Sequence, residues 1–143
     1  MVYTQALNTY QKTAIETVDN LKLVVMCYDA VVRDLQEAKT LHESHSMEAT
    51  YGKIRHAQDI VTELLVGLDY ERGGEISINL SRLYNFVLRQ LIGINSRQET
   101  TVYDSLIHIL SELRGAWEQI RRDNPQAQVE SSPQTNFSWR ASA

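Results

Sequence analysis

Proline is confined to the end of this chain. Pro125 and Pro133 are the only two in 143 residues, so nothing before them carries the residue that most reliably breaks a helix. Cysteine is almost absent as well. Cys27 stands alone in the apolar run Leu23-Val24-Val25-Met26-Cys27, which rules out an internal disulfide and marks the residue as a small buried hydrophobe. Long basic runs are missing, Arg121-Arg122 is too little to replace one, and the net charge is −4, so the electrostatic footprint of nucleic-acid binding is not there. No charge-free span of about 18 residues occurs, and the first twenty residues show no basic start followed by an apolar core. The expectation is a cytoplasmic protein with no membrane insertion. Strand-type alternation is lacking throughout.

What remains is helical periodicity. Leu21, Val24, Val25, Tyr28, Val31, Val32 and Leu35 share one stripe, with Thr17 placed to cap the helix that carries them and a fade expected at Ser44 to Ser46. A second helix is expected after Ser46, with Ile54, Ala57, Ile60, Val61, Leu64, Leu65 and Leu68 inward, ending at Gly73-Gly74, where glycine can adopt the positive φ that closes a helix. Glu75 then opens a third, which carries Ile76, Leu80, Leu83, Tyr84, Val87, Leu88, Leu91 and Ile92 and stops near Asn95. A fourth bears Val102, Leu106, Ile109, Leu110, Leu113, Trp117 and Ile120 and is ended by Asn124-Pro125. Four such helices joined by short turns bury their stripes most simply as an all-α, antiparallel up-down four-helix bundle. The expected organisation is a mobile N-terminal arm over residues 1–16, the bundle over 17–124 and a disordered tail over 125–143.

Catalytic and metal chemistry find no foothold. Di-metal bundles use Glu-x-x-His, but the residues three before His42, His45, His56 and His108 are Lys39, His42, Lys53 and Ser105. His42 and His45 read as a solvated helix end, and His108 with Glu112 as a surface pair. No nucleophile elbow, zinc-protease motif, phosphate loop or dinucleotide fingerprint is present. The expectation is therefore no enzyme, no cofactor and no metal.

The first and third helices carry more apolar surface than one core stripe needs. Leu21, Leu23, Val24, Val25, Met26, Cys27, Tyr28, Ala30, Val31 and Val32 nearly encircle the first, and Ile76, Ile78, Leu91, Ile92 and Ile94 spread around the third. Either these are the two most buried helices, or part of the surplus is a groove for another chain, which a partner helix would fit.

Several motifs then align with one family: Tyr10-Gln11, Ile15-Glu16-Thr17, Leu23 to Tyr28-Asp29, Leu64 with Leu68-Asp69, Gly73-Gly74-Glu75-Ile76, Asn79-Leu80, Leu83-Tyr84, and Glu112-Leu113-Arg114 with Ala116-Trp117. In order and spacing they resemble the flagellar secretion chaperone family, FliS, over roughly residues 10 to 122. Two departures stand in the first helix: Thr17-Val18-Asp19 replaces a Ser-Pro start, and Ala30 follows Tyr-Asp where glycine is usual. The resemblance implies a bundle chaperone without a nucleotide cycle. Such a chaperone binds the C-terminal segment of flagellin, prevents premature polymerisation and delivers it to a component of the flagellar export gate. It also places the candidate flagellin groove among Leu21, Val25, Tyr28, Ile76, Asn79, Leu80, Leu83 and Tyr84, some of which must be ordinary core. Tyr10 and Ile15 become candidates for contact with the client and the export gate, against the simpler reading of a helical extension packed on the core. A non-catalytic helical adaptor that regulates another assembly is the alternative of a different class. In the tail, Phe137 and Trp139 are two large aromatics in a polar segment. They are passengers, anchors for a partner, or occupants of an empty apolar groove.

Overall fold

The computed structural model describes residues 18–123, and these are helical apart from the connecting turns. Five helices follow one another: α1 (Val18–Glu43), α2 (Met47–Val66), the single turn α3 (Tyr70–Gly73), α4 (Glu75–Ile92) and α5 (Thr101–Asp123). The four long ones form the expected bundle. Thr17 as a cap, the arm with Tyr10 and Ile15, and the tail from Pro125 onward lie outside the described residues.

Side-chain pairs fix the helix directions. Going from Asp29 to Lys39 along α1, the partners on α5 fall from Arg114 (2.7 Å) to Asp104 (2.9 Å), so the two helices run antiparallel. From Asp34 to Glu37 on α1, the partners on α2 fall from His56 to Lys53, which makes that pair antiparallel too. Apart from Asp34, which is buried, the members of these pairs are exposed or half-exposed, so solvent screens the pairs and each contributes little energy. The buried apolar stripes hold the bundle: Leu21, Val24, Tyr28, Val31 and Leu35 of α1 meet Ile54, Ile60, Val61 and Leu64 of α2, Leu80, Tyr84, Val87 and Leu91 of α4, and Tyr103, Leu106, Leu110, Leu113 and Trp117 of α5 in one core cluster. Cys27, the single cysteine of the chain, is fully buried in it.

The turns show where local chemistry overrides periodicity. His45 closes α1 with φ 63°, and the Ser46 amide donates back to the Leu41 carbonyl (2.9 Å) while the His45 amide donates to that of His42 (3.0 Å), the paired bonds of a Schellman closure without glycine. The second long helix stops at Val66 rather than running to the glycine pair. Gly67 weakens it, and the Asp69 carboxylate accepts the Arg72 amide (3.0 Å), capping the new turn α3. Only Gly74 of the pair takes positive φ, at 52° with ψ −123°. Ser77 then donates to the Asp69 carbonyl (2.7 Å), tying α3 to the start of α4. The third long helix ends at Ile92, short of Asn95, and Ile94 tucks back into the core.

α1 packs closely on both α2 and α5, and α2 on α1 and α4, whereas the neighbours α4 and α5 lack such close packing. The bundle therefore has one loose seam.

Candidate groove between the third and fourth long helices

Two rows run along α4, displaced by one residue. Ser77, Leu80, Tyr84, Val87 and Leu91 repeat at spacings of three and four and are buried. Ile76, Asn79, Leu83, Phe86 and Gln90 repeat the same spacing one residue earlier, which turns them about 100° around the cylinder onto a lateral face. Ile76, Leu83 and Gln90 are half-buried there, Asn79 and Phe86 exposed. This lateral row borders the loose seam. At its far end Phe86 and Gln90 line a groove of about 350 Å³ with Gln98 and Glu99 of the connecting loop and Val102, Ser105, Leu106 and Ile109 of α5. Outside the row, Ile78 and Ile92 add exposed apolar surface, Ile92 at 74 %.

The sequence-derived groove candidates divide between the two rows and α1. Leu21, Val25, Tyr28, Leu80 and Tyr84 are core residues, and the Tyr28 and Tyr84 hydroxyls share a buried hydrogen bond of 2.7 Å. Ile76, Asn79 and Leu83 lie together on the lateral row. For α1, the reading that its surplus is simply burial holds: α2 and α5 flank it on both sides, so nearly its whole apolar circumference is covered, Met26 being the large exception. Sequence reasoning passed over Phe86, Gln90, Val102 and Ile109 as groove residues. The three-four repeat at 76, 79, 83, 86 and 90 was the signal that distinguishes a second apolar row from a scattered surplus.

The displaced pKa values sit away from this seam. Burial raises the Asp34 carboxyl, opposed by the hydrogen bond and charge of His56. Hydrogen bonds from Arg121, backed by Arg122, hold Glu118 below the usual range. Burial pushes Tyr103 up to about 12, and its hydroxyl meets His42 Nδ1 at 2.8 Å. His42 Nε2 is buried and has no partner. Among the described residues no group of three or more His, Cys, Asp or Glu is placed to hold a metal, and no helix is long and apolar enough to cross a membrane. What the seam offers is apolar area with amide side chains at its edge, chemistry suited to an amphipathic segment of another chain.

The sequence model of the family described as "Flagellar protein FliS" matches residues 3–124. The flagellar secretion chaperone FliS of Salmonella typhimurium is 30% identical over 122 residues, covering 85% of this chain and 88% of that protein. The flagellar secretion chaperone FliS of Vibrio cholerae is 27% identical over 119 residues (80% and 88%), and FliSB of Pseudomonas aeruginosa 28% over 120 residues (81% and 95%).

Proposed function

The chain belongs to the FliS family of flagellar proteins, and from that membership we propose that it is a cytoplasmic flagellar export chaperone. It binds the C-terminal segment of flagellin, keeps that segment from polymerising early and delivers it to the flagellar type III export apparatus. The observation that carries this reading is the lateral row on α4. A bundle that already has a complete core keeps Ile76, Leu83 and Phe86 along a loose seam, where a second chain can bury them. A client segment that orders on binding spends part of the energy of apolar burial on its own loss of entropy, and the prefolded bundle contributes none of that cost.

The site residues follow from the same surface. Ile76, Asn79 and Leu83 contact the client, joined by Phe86 and the α5 side of the groove, while Leu80, Tyr84, Tyr28, Leu21 and Val25 support the rows from within. Tyr10 and Ile15 are kept for contact with the export gate. No residue is assigned a catalytic step, and no cofactor is needed.

The test is co-purification with flagellin followed by limited proteolysis and a polymerisation assay. The reading expects the flagellin C-terminal segment to become protease-resistant and unable to polymerise when bound. An adaptor that merely tethers flagellin leaves the segment cleavable and competent, and that result sinks the chaperone reading.

A further inference from the structure

We infer that the C-terminal segment beyond α5 docks its aromatic pair, Phe137 and Trp139, into the groove between α4 and α5 of the same molecule when no client is present. Four features of the chain converge on this occupant. The segment leaves the bundle at Asp123, at the end of the seam where α4 begins, so it starts beside the lateral row. From there the groove at Ser105 is about 27 Å back along α5 at 1.5 Å per residue, and the residues up to Phe137 span roughly 45 Å when extended, so the reach is ample. Phe137 and Trp139 are separated by one residue, so an extended segment puts both on one face about 7 Å apart, close to the rise of one helical turn between Phe86 and Gln90. Arg140 follows at once, and the groove carries Glu99 at its rim, so charge favours this polarity of docking.

The family match stops at residue 124, so this segment lies outside the matched body. Its consequence rests on the client reading given above: an aromatic pair held in cis competes with flagellin for the seam and raises the threshold for client binding. If the pair occupies the groove for 70–90% of the time, removing it tightens the apparent client affinity by about three- to tenfold.

Fluorine NMR on the full chain labelled with fluorotryptophan tests the docking. Two resonances are expected, Trp117 and Trp139, assigned through Trp139→Phe. Docking predicts a Trp139 resonance shifted from the solvent-exposed position and returning to it in Phe86→Ser and in Ile109→Ser, while the buried Trp117 resonance reports an intact bundle. A Trp139 resonance at the exposed position in the unaltered chain overturns the proposal, as does one indifferent to both variants. A shifted resonance that is lost on dilution also overturns it, since the occupant would then be a second copy. Adding the flagellin C-terminal segment separates the two claims. Release of Trp139 on binding supports both; binding with Trp139 still docked leaves the docking intact and shows that the client uses another surface.

Discussion

Among the described residues, Gly74 is the one backbone position where the fold asks for something only glycine gives freely. Its φ of 52° with ψ of −123° falls in a region that L side chains rarely adopt, and it turns the chain from α3 into α4, which bears the lateral row. A Cβ placed there meets nothing within 4 Å, so Gly74→Ala introduces no clash and its cost is backbone strain alone. That strain amounts to about 1–3 kcal/mol, or a fall in melting temperature of about 3–10 °C for a domain of this size. Gly52 in α2 and Gly115 in α5 are the opposite case, since their added Cβ atoms also meet open space but no positive φ stands in the way. Gly52→Ala and Gly115→Ala each stabilise by about 0.5–1 kcal/mol. Inverting both angles at Gly74 gives an ordinary extended conformation, so a D-alanine installed there by semisynthesis restores what the L residue loses. Thermal and urea unfolding followed by circular dichroism measure all four. A neutral or stabilising Gly74→Ala refutes the strain assignment, and a D-alanine as damaging as the L form shows that the side chain rather than the backbone is at fault.

Two further perturbations probe the buried polar contacts. Because burial holds the Asp34 carboxyl above its ordinary 3.8, the folded protein is the better proton binder there, so its contribution is present below 3.8 and is lost as pH rises through the raised value. The stability of the native chain relative to Asp34→Asn should fall across that window in urea titrations at stepped pH, and a rise would contradict the assignment. Tyr103→Phe keeps the edge-on ring contact with His42 but removes the hydroxyl on Nδ1, in a side chain whose Nε2 already lacks a partner, and should cost about 1–3 kcal/mol. Unchanged urea midpoints for that variant would show that the hydrogen bond contributes nothing.

The helices and their core were legible from residue spacing, because each apolar stripe repeats at three and four and each interruption falls at a turn. The turn α3 was not, since Leu64, Leu65 and Leu68 continue the helical pattern past Val66, and only the Asp69 carboxylate finding the Arg72 amide ends it. The two helices with surplus apolar surface looked alike in sequence and differ in structure. Periodicity says which residues share a face but not which faces acquire neighbours. α1 acquires two close ones, so Leu21, Val25 and Tyr28 vanish into the core, whereas one side of α4 meets the loose seam and Ile76, Asn79 and Leu83 stay reachable. The Asn79-Leu80 and Leu83-Tyr84 pairs of the family motif mix both roles, because each pair places one residue on the lateral row and its neighbour in the core.

The central claim is that the α4 lateral row binds flagellin. Isothermal titration of the flagellin C-terminal segment into Leu83→Ser/Phe86→Ser, beside Met26→Ser on the outer face of α1, tests it directly. Two apolar side chains that become buried on binding carry roughly 1.5–3 kcal/mol each when fully covered, so the double variant should bind at least tenfold more weakly. Its unfolding midpoint should stay within about 5 °C of the native chain, and Met26→Ser should bind as the native chain does. Native affinity in the double variant, or a loss that only tracks lost stability, would contradict the claim.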